Sequence, residues 1–395
     1  MKLNRLSFLF AGLISAATAH ADLAALFTNV PPARTTLPRR PSIIFIQCHD
    51  LALGDLSCYG QTNFQTPNLD RLAQDGLRFT HYTGSADSAT TTAQLLAGKI
   101  SAPAPGEPNL AQRLQQNGYH TGLIGEWTLD RQPWLHGFDE FAGFLDDAEA
   151  QNYYPEALWR YAPNSIFDPT NNRLTTYLGK ESLHPNAGGQ QGQYLPDLFA
   201  KAMVNFVRNN EPDRANHFRP FFLLVNFPAP RTATTGADDF PVPSDAPFTG
   251  ERWPQAAKNR AALITRLDDG LGRLLEQLNK SKWTNSVAVF FASSCAPEKF
   301  ADTNLNFLLP PDNFRAAPPP APPILPLIVN WPGWAPAGRV SHLTVSVLEV
   351  APTVLDIAYA KPVSGLAGIS LLPTLLGKSG TNAPAKLTRP LPQGQ

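Results

Sequence analysis

A chain of 395 residues with 43% apolar side chains can bury one large core or two smaller ones, which excludes disorder along its whole length. Its 32 basic and 32 acidic residues cancel, so the broad electrostatic footprint of a nucleic-acid or anionic-membrane binder is absent and any anion site must be local. Three cysteines, Cys48, Cys58 and Cys295, cannot all pair and match no zinc or redox spacing; they are expected as buried thiols, Cys58 above all.

The chain opens with Lys2 and Arg5, an apolar run from Leu6 to Ile14, and small residues closing on Ala19-His20-Ala21. That is the build of a cleavable secretory signal over residues 1–21. The apolar run is shorter than the roughly 20 residues of a membrane span, and no later segment supplies them. The mature chain is therefore expected to be secreted or periplasmic, without a transmembrane anchor. Residues 22–40 read as a proline-containing leader, and residues 379–395, polar and without periodicity, as a disordered tail.

Ser42 to Gln47 (SIIFIQ) is a β-branched and aromatic run suited to a buried strand, with His49 and Asp50 where its carboxyl end emerges. In open α/β sheets that edge is where ligands bind. Thr66-Pro67 is an N-cap and first-turn signature and Gly76 fits a C-terminal cap, so a helix is expected over Asn68 to Asp75. Helices follow at Thr91 to Ala97 and Pro108 to Asn117, then a strand at Tyr119 to Ile124 and the buried strand FFLLVNF, Phe221 to Phe227. From Ala256 to Leu278, Ala257, Ala261, Ile264, Leu267, Leu271, Leu274 and Leu278 recur every three or four residues, marking a long amphipathic helix. Strands at Val287 to Phe291 and Ile324 to Asn330 and a helix at Leu348 to Ala358 complete the pattern. The prolines of residues 310–326 must be extended. This alternation predicts one α/β domain, residues 41–378, with a large mixed, mostly parallel sheet sandwiched between helices.

The stretch Pro41 to Lys99 contains GDLSCYG, TPNLDRLA and a Ser-x-Thr-Thr-Thr segment. Later come LAQRLQQNGYHTGLIGEW, HGFDEFAGFL, NYYPEALW, PFFLLVNFPAP, KNRAALITRLDDGLGRLL and GISLLPTLLGK. In order and spacing these phrases resemble the sulfatases of the alkaline-phosphatase superfamily, from about residue 41 to 378. The resemblance implies the alkaline-phosphatase/sulfatase-like core. It also implies a smaller carboxy-terminal subdomain beyond residue 378, which is expected to be missing here. The activity it implies is hydrolysis of sulfate esters by a formylglycine on calcium, with Lys, Arg and His neutralising the ester oxygens.

At the matching positions the residues differ. The paired Asp that hold calcium are His49 and Asp50, and the later Asp-Asn pair is Ser294-Cys295. The nucleophile position is Ser88, and the arginine that supports it is Thr92. The Lys and His of the Gly-Lys-Trp-His phrase are Glu126 and Thr128, the His after Phe221 to Phe227 is Arg231, and the later Lys is Arg315. Replacing a cation that faces the sulfate by Glu126 adds repulsion where attraction is needed. One Asp, one His, one Ser and one Cys are not the six to eight oxygens that calcium prefers, so neither calcium nor another cofactor is expected.

The expectation is thus an exported, catalytically inactive sulfatase homologue, a pseudoenzyme binding a sulfated or other anionic glycan or a protein partner, and no nucleic acid. The alternative is an active sulfuric or phosphoric ester hydrolase rebuilt around Ser88. Otherwise Ser88 is a helix-start cap. His49, Asp50, Cys48 and Cys295 also make a borderline-soft metal ligand set, but Cys48 and His49 point to opposite faces of a strand and cannot both serve easily, so Cys48 is expected as a core thiol and no metal is expected. Asp55, Asn68 and Asp70 are expected to bond backbone amides at turns and helix starts, and the aromatic block Asn152 to Trp159 to pack between segments.

Overall fold

The computed structural model describes residues 40–378 apart from 102–103, 105, 131, 169, 171–172, 212–218, 234–238, 282–285 and 298–322. The expected secretory signal, nearly all of the expected leader, Arg315, most of the proline run and the expected tail lie outside the described residues. In chain order the elements are β1 (Ser42–Cys48), α1 (Pro67–Gln74), β2 (Leu77–Thr83), α2 (Ser88–Ala97), α3 (Leu110–Gln116), β3 (His120–Glu126) and β4 (Glu140–Phe144). There follow α4 (Asp147–Ala150), β5 (Ala157–Asp168), β6 (Arg173–Ser182), α5 (Leu195–Asn209), β7 (Phe221–Phe227), α6 (Gln255–Lys280) and β8 (Val287–Ser293). β9 (Ile324–Asn330), β10 (Arg339–Ser346), α7 (Val350–Ile357) and α8 (Leu372–Leu375) complete the described elements.

Among the described residues the ten strands form one sheet in the order β10-β2-β9-β8-β1-β7-β3-β4-β5-β6. The five central strands, β8 through β4, run parallel, and β1 is paired on both sides, with Cys48 opposite Phe227 and Ser293. β1, β7 and β8 are buried at every residue, as expected of parallel strands covered on both faces. The carboxyl ends of β8, β1, β7 and β3 therefore share one edge, and His49 and Asp50 emerge there. The mixed, mostly parallel sheet is the predicted fold class. β5 and β6 add an antiparallel extension beyond β4 that was not predicted, because their sequences mix polar with apolar residues and carry no clear alternation.

The long amphipathic helix is α6, and its stripe Ala257, Ala261, Ile264, Leu271, Leu274 and Leu278 is buried. α6 also caps α1. Its fully buried Asp268 accepts the backbone N–H groups of Asn68 and Leu69 at 3.0 and 2.7 Å, while Thr66, the expected cap, turns to Ser57. Those donors are the unpaired amides of a helix start, so the cap comes from 200 residues away. Gly76 is no left-handed cap either. It is small because a Cβ there would run into the carbonyl of Val329 on β9.

Asp55 accepts the amide of Ala52 as expected, whereas Asp70 takes the hydroxyl of Ser57 rather than an amide. Tyr153 and Tyr154 pack on Tyr194, ring centroids 5.9 and 5.3 Å apart, so the aromatic block does join segments. Cys48 and Cys295 are buried, whereas Cys58, also expected as a buried thiol, is half-buried. No helix among the described residues is long and apolar enough to cross a membrane.

At the opposite end of β3, His120 lies 3.3 Å from Asp139 and 2.8 Å from Glu140, stacked on Phe206, with exposed Arg219 also facing Asp139. Burial alone would depress the imidazole, but the bonds to Asp139 and Glu140 raise its pKa to about 9. Burial would raise Asp139, and His120, the Thr121 amide and Gln115 instead hold it at about 2. A raised His stabilises fully below its unfolded value of 6.5 and loses that contribution as pH rises through about 9. A depressed Asp stabilises above its unfolded value of 3.8 and loses it as pH falls through about 2. The two shifts describe one interaction, of about 2 kcal/mol after screening at the exposed Glu140. His120→Gln should therefore lower Tm most between pH 3.8 and 6.5, with the gap from wild type closing towards pH 9. Thermal melts across that range check this, and a pH-independent gap would refute it.

Candidate functional site

The site is assembled by the ends of four strands and one helix. α2 is held against the edge by Thr91, whose Oγ1 donates to the Ser294 carbonyl at 2.7 Å, and by Thr92, whose Oγ1 accepts from Gln47 Nε2 at 2.6 Å. This brings Ser88, one turn earlier, to the same edge. Ser88 is not the cap: Asp87 is, accepting the Thr90 amide at 2.7 Å, and Ser88 is the buried first residue of the helix. Gln47 also donates to Asn226 Oδ1 at 2.8 Å, and Asn226 Nδ2 to the Glu126 carbonyl at 3.0 Å, tying β1, β7 and β3 together. Thr92 thus belongs to a buried polar layer.

Beyond that layer the chain leaves β1 through His49, whose amide is held by the Phe227 carbonyl at 2.9 Å. Asp50 follows with φ 55°, a left-handed backbone uncommon outside glycine. The turn is held by Arg260 of α6, which donates to the Asp50 carbonyl at 2.8 Å, to the Pro230 carbonyl at 2.8 Å, and to Asp55 at 2.7 and 3.2 Å. Strain of this kind persists only where the surroundings over-determine it.

The side chains converge. Cys295 Sγ lies 3.2 Å from Asp50 Oδ1 and 3.8 Å from His49 Nδ1, and His49 Nδ1 is 4.0 Å from Asp50 Oδ1. The other imidazole nitrogen, Nε2, faces Glu126 Oε2 at 3.3 Å. Burial would depress His49, but Cys295 and then Glu126 raise its pKa to about 10. Glu126 is buried, and Arg231 approaches its other oxygen at 3.6 Å. Arg231 is itself turned to Asp147 of α4 in a two-pronged pair at 2.8 and 2.9 Å, which holds the Asp147 carboxyl at about 2. Bidentate pairing fixes the guanidinium more firmly than a point contact would. Ser294, the remaining metal position, donates to the Cys48 carbonyl at 3.1 Å.

Six of the sequence-predicted residues are thus linked: His49, Asp50, Cys295 and Glu126 in one cluster, Arg231 at its rim, and Ser294 behind it. Ser88 and Thr92 are on the adjoining helix. Thr128 lies on the wall of a neighbouring crevice of about 940 Å³, with Thr90, Lys99 and His136. Arg315 is outside the described residues. Asp147, Gln47, Asn226 and Arg260 were not anticipated. Chemically the cluster gathers three carboxylates, a thiol and an imidazole around one guanidinium. Of these carboxylates Asp50 approaches both the thiol and the imidazole, while Glu126 faces the imidazole from its other nitrogen. Six to eight oxygen ligands for calcium cannot be drawn from the cluster.

The sulfatase family profile matches residues 41–360 of the chain. N-acetylgalactosamine-6-sulfatase of Canis lupus familiaris is 25% identical over 393 residues, covering 88% of this chain and 68% of the relative. Arylsulfatase A of Bos taurus is 30% identical over 370 residues, 85% of this chain and 68% of the relative. The chain therefore spans about two thirds of the length of these curated relatives. Among solved structures, Ps i-CgsB in complex with k-i-k-neocarrahexaose superposes with a TM-score of 0.65 at 24% identity, covering 87% of this chain and 78% of that one. The phosphonate monoester hydrolase of Agrobacterium radiobacter does so at 0.53 and 18%, covering 86% and 78%. These two likenesses bear on the fold.

Proposed function

The chain belongs to the sulfatase family, and from that premise we propose that it is an exported member without ester-hydrolase activity, retained to bind a sulfated or other anionic glycan or a protein partner. One observation carries the reading. Glu126, at a position where the family places a cation, is buried 3.3 Å from His49, and the guanidinium beside it, Arg231, is committed to Asp147. A sulfate ester brought there meets the Glu126 carboxylate where the family presents a cation, and the guanidinium beside it is already engaged by Asp147, so charge in the transition state is poorly stabilised. Losing one such donor costs orders of magnitude in rate, and here the Lys, two His and the supporting Arg are all replaced. Calcium has no matching ligand set among these residues. A glycan ligand is supported by relatives whose names specify sugar sulfates, and export by the signal-like residues 1–21.

Purified protein incubated with aryl sulfate and aryl phosphate, with and without calcium or zinc, is expected to give no turnover above buffer, and Ser88→Ala to behave identically. Turnover that disappears in Ser88→Ala would overturn this reading in favour of a hydrolase rebuilt on Ser88.

A further inference from the structure

The failure of the calcium fit leaves a different donor set in its place, made of one thiol, one imidazole nitrogen and one carboxylate oxygen. We propose that Cys295 Sγ, His49 Nδ1 and Asp50 Oδ1 form a site for one borderline-soft divalent transition cation of the zinc class. This goes beyond the absence of ester turnover and does not depend on it.

Four observations support the assignment. The first is geometric. Donors about 2.0 to 2.3 Å from a tetrahedral ion stand about 3.3 to 3.5 Å from one another. The three edges here are 3.2, 3.8 and 4.0 Å, so the thiol stands close to that spacing from both partners and the His49–Asp50 edge is the longest.

The second is the orientation of His49. Its Nε2 faces the buried Glu126 carboxylate, so Nδ1 is the nitrogen presented to Cys295 and Asp50. A carboxylate behind the imidazole is the arrangement that fixes tautomer and ring angle in metal-bound histidines. Glu126 Oε2 is buried and has no other hydrogen-bond partner among the described residues, so His49 Nε2 at 3.3 Å is the group it faces.

The third is charge. A thiolate and a carboxylate neutralise a divalent ion with a neutral imidazole beside them, so no net charge is buried by the ligand set itself. Binding releases the thiol proton, and the imidazolium proton at Nδ1 wherever His49 is charged. The oxidation state of sulfur does not change.

The fourth is the strained turn. Asp50 is held at φ 55° by the Arg260 bond to its carbonyl, and that conformation carries its carboxylate to the thiol. Calcium would not select a buried sulfur, whereas zinc, cobalt and copper do. Three protein donors leave a fourth position for water or an incoming anion.

The test uses the full mature chain, reduced and stripped with a chelator, titrated with cobalt(II). One equivalent is expected to bind with a thiolate-to-cobalt charge-transfer band and tetrahedral visible bands. Zinc should displace it and a large excess of calcium should not. Cys295→Ser should abolish the charge-transfer band, while Cys48→Ser and Cys58→Ser keep it. Glu126→Gln, which retains all three ligands, should weaken cobalt about 10-fold or more with the band preserved. If Cys295→Ser fails to fold, the Glu126→Gln affinity and the calcium competition decide alone. No band, a band that survives in folded Cys295→Ser, unchanged affinity in Glu126→Gln, or displacement by calcium would each overturn the site.

Discussion

Arg260→Met is expected to lower the free energy of unfolding by about 3–5 kcal/mol, the cost of leaving one partner of a buried ion pair behind. Arg260 and Asp55 are each 1% exposed, joined at 2.7 and 3.2 Å, with the guanidinium lying over the Phe240 ring at 5.2 Å. Among the described residues Asp55 keeps the amide of Ala52 and no cation when the guanidinium is removed. The carbonyls of Asp50 and Pro230 lose their donor in the same substitution. Methionine fills much of the volume but satisfies none of these acceptors. The pair as a unit is worth far less, because taking two charges out of water offsets most of their attraction. Arg260→Met combined with Asp55→Leu should therefore recover a large part of the loss. Urea denaturation gives the answer directly: a lowered midpoint at unchanged slope for the single variant, partly restored in the double. A single-variant loss below about 1 kcal/mol would show that water reaches Asp55 and that the pair is not sealed.

Arg260 also shows what the sequence could and could not disclose. It falls on the apolar stripe of α6, between the buried Ala257 and Ile264, where a charged residue signals a buried partner. The partner is 205 residues away, and nothing local identifies it. The same holds for Glu126, for which no basic neighbour could be named from the chain, and which meets both His49 and Arg231. It holds again for the cap of α1, given by Asp268 instead of Thr66. By contrast β1, β7 and β8 were legible as continuous apolar runs, because a strand buried on both faces needs no polar residue. β5 and β6 were not, since they extend one edge of the sheet and mix polar with apolar residues. The emergence of His49 and Asp50 at the carboxyl end of β1 was legible, because they directly follow its apolar run. What the site holds there was not, because hydrogen-bond partners are set by tertiary approach.

Gly125→Ala is expected to be among the most damaging single substitutions in the chain, on the order of 4 kcal/mol. Gly125 sits in β3 between Asn226 of β7 and Gly143 of β4, at φ +115°, a conformation that side chains rarely adopt. A Cβ at this residue would run into the Asn226 carbonyl, and backbone cannot move aside as a flexible side chain would. β3 must then separate from β7 or change its dihedral angles, and either movement shifts the next residue, Glu126. The Asn226 bond to the Glu126 carbonyl at 3.0 Å goes with it, and so does the 3.3 Å approach of Glu126 to His49. At this chain length about 2 °C of Tm accompanies each kcal/mol, so a fall of roughly 8 °C is expected, or no soluble protein at all. A conservative control is Gly179→Ala in β6, where the added carbon meets only the distant end of Tyr177 at 3.9 Å and Tm should barely move. Equal melting of the two variants would mean that β3 tolerates the extra carbon by relaxing. Glu126 would then owe its position to Arg231 and His49 alone, with no contribution from the strand that carries it.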